Sequence, residues 1–292
     1  MLTGAVRWLS AALSQFDPDR PSREAHPSFS SLKAFAEISL FCMLAFQQAK
    51  GEEDPAFVAL SAFVREVVGR PRFIEGARNP RRFLAYLMIC EAAETLGLKD
   101  PESRNVLQRL LDNGYAGAKD NAAFRLMDLR YTLDQCGFRH SLPSMKVLYC
   151  RTLLAKGAPL TSICGEDAYA TTHTIFYLTA YGRKPPAGFS RDEQARWRWL
   201  VGNLLGMSVL AENWDLTSEL LLCCRFLRWY PRLTYDAAWL ALSRAQRPDG
   251  SFEGPMWSMA HAATLDERSR RAYDIQLNYH TTLVAALACL FR

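Results

Sequence analysis

Hydrophobic residues recur at spacings of three and four along almost the whole chain, and the alternating pattern of β-strands is nearly absent. Positions three and four apart share one face of an α-helix, so this pattern predicts an all-α protein. The predicted helices cover residues 3–15, 30–49, 55–69, 79–97, 101–113, 120–136, 143–155, 166–182, 190–209, 212–230, 234–246 and 273–290. Mostly short loops are expected between them.

Several predicted helix ends carry residues that favour capping. Asp54 and Asp100 each precede a proline, so the carboxylate is expected to cap a helix whose first turn holds that proline. Ser190 and Glu193 have the spacing of a capping box. The Pro-Asp-Gly sequence at 248–250 predicts a turn, because proline fixes one φ angle and glycine tolerates a positive one.

The order of helices predicts stacked helical hairpins. Such pairs form either an open superhelix or a closed ring, the α/α toroid, around a central cavity. The 7 Trp, 11 Tyr and 16 Phe favour the ring, because its cavity needs a lining of large side chains. We therefore expect a single all-helical domain over residues 1–292, in which 1–150 complete the ring and 151–292 carry the candidate site.

Composition narrows the range of partners. The net charge is only +5, and the arginines are mostly scattered. Their two densest clusters, at 70–82 and 268–271, have no accompanying nucleic-acid-binding motif, so no nucleic-acid partner is expected. No stretch of about 18 uncharged apolar residues occurs, so no membrane partner is expected. The eight cysteines form neither a CxxC motif nor a disulfide framework. A cytoplasmic location is predicted.

The first polar cluster lies at the start of an apolar helix. Tyr169 and His173 are four residues apart and share a face, and Glu166 lies one turn earlier. In one interpretation His173 is a metal ligand or general base, with Glu166 or Tyr169 as its neighbour. In the other, the acidic residues stabilise the helix N-terminus and His173 is a hydrogen-bonded core residue.

A second polar cluster precedes another apolar helix. Glu212, Asp215 and Glu219 lie on one stripe, where three carboxylates repel one another unless a cation lies among them. The alternative is that Asp215 caps the helix and Glu219 faces water.

His280 resembles His173 in its setting, since it adjoins threonine and precedes an apolar run. Like His173, it is either a metal ligand or a hydrogen-bonded core residue. Together with Asp215, the two histidines would supply two nitrogens and one carboxylate to a metal ion. That set suits zinc with one open position or iron(II) with several. Cys164 is a candidate fourth ligand that favours zinc. The predicted cofactor is one divalent ion, with zinc preferred to iron.

The C-terminal third resembles the α/α-toroid superfamily of protein prenyltransferase β-subunits and terpenoid cyclases. Residues 246–254, Gln-Arg-Pro-Asp-Gly-Ser-Phe-Glu-Gly, are similar to the turn Q-x-P-D-G-S-F-x-G that recurs between hairpins of that fold. Residues 279–281, Tyr-His-Thr, resemble the segment that carries the zinc-ligand histidine of the prenyltransferases.

The resemblance implies zinc ligands at Asp215 and His280, whose spacing is also similar to the family's. The family's cysteine ligand, two residues after the aspartate, is replaced here by Thr217. The Asp-x-Asp-Asp acid motif of the cyclases does not occur.

Two functions are expected from these patterns. The first is a metal-dependent enzyme acting on a lipophilic or small-peptide substrate in a central cavity, in specialised metabolism. In that enzyme His173, Asp215 and His280 bind the metal, and Glu166, Tyr169 and Glu219 are catalytic. The alternative is a non-catalytic helical-repeat module that binds a protein or lipid ligand. The oligomeric state is left open.

Overall fold

The computed structural model describes residues 1–19, 26–27, 29–49, 54–71, 73–116 and 122–292. Within these ranges every regular element is a helix and no strand occurs, which confirms the all-α prediction. None of the helices in the described ranges combines the length and the apolar content needed to cross a bilayer. Residue 72 of the first arginine cluster, and residues 120–121 of one predicted helix, lie outside the description.

The α-helices follow the predicted order with a few differences. They are α1 (Leu2–Ser10), α2 (Ser31–Gln47), α3 (Pro55–Val68), α4 (Phe83–Thr95), α5 (Pro101–Asp112), α6 (Ala123–Cys136), α7 (Met145–Tyr149), α8 (Leu153–Lys156), α9 (Gly165–Leu178), α10 (Arg191–Leu210), α11 (Trp214–Phe226), α12 (Arg232–Ala245), α13 (Met259–Ala262) and α14 (Glu267–Phe291). Short 3-10 helices occur at Leu13–Gln15, Phe73–Arg78 and Leu160–Ser162.

The predicted helix 143–155 is divided into α7 and α8. Thr152 starts α8 by accepting a hydrogen bond from the backbone of Ala155 at 3.3 Å, and its hydroxyl donates to the carbonyl of Tyr149 at 2.7 Å. A residue whose side chain forms hydrogen bonds with the local backbone in this way favours the start of a new helix over the continuation of the preceding one. The apolar spacing alone does not reveal that break.

The predicted caps at α3 and α10 are present. Asp54 accepts a hydrogen bond from the backbone of Ala56 at 2.9 Å. Ser190 accepts one from the backbone of Glu193 at 3.1 Å, and the Glu193 carboxylate accepts one from the backbone of Ser190 at 2.9 Å. These reciprocal bonds satisfy N–H groups that the helix itself leaves without partners.

The backbone contacts divide the chain into two compact units. Unit 1 comprises residues 1–110 and 245–290, and unit 2 comprises residues 111–244 with 291–292. In unit 1, α2 packs against both α3 and α4, and α1 packs against α3. In unit 2, α9 packs against both α6 and α11, and α11 packs against α10. The single domain and the toroid remain predictions. The unit boundaries, near residues 110 and 245, differ from the predicted division of the chain into 1–150 and 151–292.

The turn at residues 246–254 is a structural anchor within unit 1. The Gln246 side chain donates hydrogen bonds to the carbonyls of Met1 and Gly250, each at 2.9 Å. Phe252 is fully buried, and its backbone N–H donates to the hydroxyl of Thr282 on α14 at 2.9 Å. The motif therefore ties the start of the chain and the last helix to one loop.

Gly250 is required in this turn for two reasons. Its φ angle is +96°, and a Cβ built on it would lie 2.3 Å from the carbonyl oxygen of Gly4. We expect Gly250→Ala to lower the free energy of unfolding by about 2–4 kcal/mol, since a left-handed backbone and a steric overlap combine. Urea denaturation measures this loss.

Gly97→Ala is the matched control, because Gly97 has a φ angle of +84° and no atom lies within 4 Å of the added Cβ. It should lose only the backbone contribution, about 1–2 kcal/mol. Equal losses in the two variants would show that the contact between Gly250 and Gly4 is unimportant.

Candidate active site

The candidate site lies inside unit 2, where α9 runs between α6 and α11. Tyr169, His173 and Tyr177 succeed one another at intervals of four along α9, so they form one stripe. Asp215 and Glu219 are likewise four apart on α11. Because α9 and α11 are packed together, both stripes belong to one three-helix layer.

The carboxylates of α11 are buried. Asn213, not Asp215, caps this helix, by accepting a hydrogen bond from the backbone of Leu216 at 3.1 Å. Asp215 is 5% exposed and Glu219 is 2% exposed. The alternative in which Asp215 caps the helix and Glu219 faces water is therefore wrong, because the preceding asparagine takes the capping position.

Side chains of α9 provide the donors that these carboxylates need. The Tyr169 hydroxyl donates to Oδ2 of Asp215 at 2.7 Å. The Thr172 hydroxyl donates to Oε2 of Glu219, and Nε2 of His173 lies 3.4 Å from Oε1 of the same carboxylate. Buried carboxylates are stable only with such partners, so the two helices are held in a fixed register.

The phenol of Tyr169 stays protonated in this setting. Burial raises its pKa above the ordinary tyrosine value, and the adjacent charge of Asp215 raises it further. Tyr169 therefore acts as a neutral hydrogen-bond donor over the whole physiological range.

A third carboxylate approaches His173 from α6. Asp128 is 9% exposed and accepts a hydrogen bond from Tyr177. A positive charge on His173 attracts the Asp128 carboxylate. Burial raises the pKa of Asp128 to about 6, although His173, Tyr177 and Arg125 all act to lower it. His173 thus belongs to a group with two acidic side chains, Asp128 and Glu219.

Aromatic rings surround the imidazole. The ring centroid of His173 lies 6.0 Å from that of Phe124, 5.7 Å from that of Phe176 and 6.1 Å from that of Tyr177. The His173 side chain is nevertheless 32% exposed, whereas that of Glu219 is 3% exposed. The imidazole is therefore an accessible member of a largely buried acidic cluster, which suits the exchange of protons with a bound molecule.

Two predicted site residues lie outside this cluster. Glu166 is exposed in the first turn of α9. His280 is in unit 1, where its Nδ1 lies 3.1 Å from Oε2 of Glu37 on α2. Burial acts to raise the pKa of Glu37, but His280 and Lys33 together lower it to about 2. Each predicted histidine therefore has a carboxylate neighbour of its own.

The described residues contain no group of three or more His, Cys, Asp or Glu side chains placed to hold a metal ion. Thr217, which the resemblance to prenyltransferases would place at their cysteine-ligand position, donates a hydrogen bond to Ser208 at 2.9 Å and is fully buried. Cys164 is exposed, and its thiol donates to Asp167 at 3.0 Å. We therefore derive no chemical step through a metal, and the metal set stays a prediction.

Sequence reasoning missed Asp128, Thr172, Tyr177 and Glu37. The available signal was a single carboxylate among apolar residues of a helix, as in Leu-Met-Asp-Leu at 126–129 and Phe-Ala-Glu-Ile at 35–38. A carboxylate that faces the core needs a hydrogen-bond donor from another element. Such a position therefore predicts that a donor is present, but the sequence does not indicate which residue provides it.

These features define the chain as an all-helical protein whose second unit holds a buried, acidic, hydroxyl-rich cluster around one accessible histidine. A family model described as a domain of unknown function, DUF6895, matches residues 2–290, and the chain belongs to that family. No curated protein and no solved structure matches it. The similarity to the α/α toroids therefore rests on the C-terminal motifs alone.

Asp128 gives a pH-dependent prediction. Its pKa is about 6 in the folded protein and 3.8 as the ordinary value, so the folded state favours the protonated form. Its charged form destabilises the fold above about pH 6, and this destabilisation disappears as the pH falls towards 4. We expect Asp128→Asn to raise the free energy of unfolding by about 1–3 kcal/mol at about pH 8 and to have little effect at about pH 4.

Urea denaturation at both pH values measures this difference. Asp192→Asn, at an exposed position of α10, is the control and should change stability little at either pH. A loss of stability at high pH in the Asp128 variant would show that the charged carboxylate stabilises the fold.

Proposed function

We propose that the chain is an enzyme in which His173 exchanges a proton with a bound substrate. The observation that carries this proposal is the partial exposure of the imidazole beside the buried carboxylate of Glu219. A buried carboxylate fixes the orientation of a histidine ring and stabilises the imidazolium that forms when the ring accepts a proton. Glu219 is thus a positioning residue for His173.

The remaining members of the cluster have supporting roles in this proposal. Thr172 holds the Glu219 carboxylate in place, and Tyr169 holds Asp215. Asp128 titrates near pH 6, so at neutral pH it is mostly ionised and favours a positive charge on His173. The partly exposed ring of Phe124 beside His173 favours a substrate with apolar or aromatic groups. This agrees with the lipophilic or small-peptide substrate expected from the sequence.

The energetics of the cluster also favour a functional role over a purely structural one. Three buried carboxylates in one helical layer cost free energy that apolar residues of similar volume would not cost. Groups of this kind are found more often at functional sites than in ordinary cores. The alternative, a non-catalytic module that binds a protein or lipid, requires no accessible imidazole in the cluster.

Chemical modification tests the proposal without knowledge of the substrate. Diethyl pyrocarbonate acylates accessible imidazole nitrogens, and mass spectrometry gives a rate constant for each histidine. We expect His173 to react. At a pH high enough to keep the ring neutral in both proteins, its rate constant should fall several-fold in Glu219→Gln, because the neutral amide no longer stabilises the positive charge that develops on the ring during acylation.

Glu166→Gln is the matched control, since Glu166 is an exposed carboxylate at the start of the same helix. It should leave the rate constant of His173 unchanged, and thermal unfolding should show both variants folded. An unreactive His173, or equal rate constants in the two variants, would overturn the proposal in favour of the binding module.

The predicted metal set has a separate test. If His173, Asp215 and His280 bind one divalent ion, the purified protein should contain about one zinc or iron per chain, and His280→Ala should contain none. His261→Ala is the control, because His261 is exposed in the short helix α13. Elemental analysis of each protein after reconstitution with zinc or iron measures the metal content per chain. Metal-free protein would contradict the metal prediction and leave the proton-transfer proposal intact.

A further inference from the structure

A basic and apolar surface lies at the loop between α11 and α12. Five of the nine residues from 225 to 233 are exposed and share two chemistries: Arg225, Arg228 and Arg232 are cationic, and Tyr230 and Leu233 are apolar or amphipathic. Leu233 is 87% exposed and Tyr230 is 43% exposed. The guanidinium of Arg225 donates to the Tyr230 hydroxyl at 3.0 Å, which holds the two side chains together.

The same surface extends onto α10. The ring of Trp229, in the loop, packs against Gly202 of α10. A Cβ atom added to Gly202 would lie only 2.8 Å from the Trp229 ring. Trp199 lies one turn before Gly202 and is 56% exposed. We call the group formed by Trp199, Arg225, Arg228, Tyr230, Arg232 and Leu233 the basic tip.

Positive charge predominates in the sequence around the basic tip. Residues 194–211 and 220–235 contain no aspartate or glutamate. The chain as a whole has 30 acidic and 35 basic residues, so this separation is local and is not a consequence of composition. Asp236, exposed one turn after Arg232 on α12, is the acidic residue next in sequence, so the three arginines of the loop keep a positive excess. A surface with such an excess is complementary to an anionic partner.

We propose that the basic tip binds the surface of anionic lipid bilayers, with its arginines at the headgroups and Trp199 and Leu233 in the outer part of the acyl region. Tryptophan is enriched at membrane interfaces, and each arginine near an anionic surface strengthens binding. The side chain of Leu233 projects almost fully into solvent, and lipid chains can cover such a projecting leucine, whereas a phosphate backbone cannot.

A second copy of the chain is a poorer occupant. A two-fold dimer places the same patch of both copies face to face. The three arginines of the loop would then meet their own equivalents, and like charges at an interface are unfavourable. The sequence analysis expected no membrane partner because no segment can span a bilayer, but a surface that lies on the bilayer needs no such segment.

Vesicle flotation tests this proposal on the full chain. We expect binding to vesicles of phosphatidylcholine with one third phosphatidylglycerol, weak binding to phosphatidylcholine alone, and release by salt. The triple variant Arg225→Gln, Arg228→Gln, Arg232→Gln should lower the partition coefficient about a hundredfold, at roughly fivefold per arginine.

The matched control removes three exposed arginines of unit 1, Arg268, Arg270 and Arg271, by the same substitution. It changes the net charge equally and should retain most of the binding. Equal losses in both triple variants would mean that net charge alone causes adsorption, and the proposal would then be wrong.

A separate variant tests the contribution of the apolar side chains to lipid binding. Leu233→Ala should lower binding to anionic vesicles several-fold, and Met259→Ala, at a residue 71% exposed in unit 1, should not. Failure of the wild-type protein to float with anionic vesicles would overturn the proposal. So would duplex DNA or RNA that binds more tightly and displaces the protein from lipid, in favour of a nucleic-acid partner.

Discussion

The burial of Glu219 beside Thr172 and His173 is the constraint on which the arrangement of α9 and α11 depends. A carboxylate that is 2% exposed cannot be hydrated, so donors from the neighbouring helix must replace water. A rotation of α9 by one residue would move both donors away from it. The hydrogen bond between Tyr169 and Asp215 repeats the same requirement one turn earlier and fixes the register along the helix axis.

The residues around this contact allow the close approach that it needs. Cys223, a buried residue of α11, has a small side chain. The Cys223 thiol donates to the carbonyl of Thr172 at 3.8 Å, one turn beyond Glu219. Small residues at a helix contact leave room for the polar groups to meet without cavities. The acidic cluster is thus part of the packing of unit 2 and not an addition to its surface.

The helix α11 connects the candidate site with the basic tip. Its first turns carry the buried carboxylates, and its last turn leads through Arg225 into the exposed loop. Acidic residues near the start of a helix and basic residues near its end both agree with the helix dipole. The catalytic and lipid-binding proposals use opposite ends of this helix and different side chains, so either can fail without the other.

In unit 1, the motif that resembles the α/α toroids has an architectural role. Asn278 accepts a hydrogen bond from the backbone of Gly254 at 2.9 Å, and Thr282 accepts one from Phe252. The polar residues on both sides of His280 therefore hold the preceding loop in place. A polar segment before an apolar helix is consistent with a site or with a loop anchor, and only the contacts distinguish the two.

The sequence by itself determined the all-α class, most helix positions and the caps at Asp54 and Ser190, because spacing and capping act within a few residues. It also placed Tyr169 with His173, and Asp215 with Glu219, on shared helix faces. Only the tertiary structure decided that these two faces meet, that Asp128 joins them, and that Glu37 pairs with His280. Helical periodicity fixes which residues share a face, whereas the choice of facing helix depends on contacts between residues far apart in the chain.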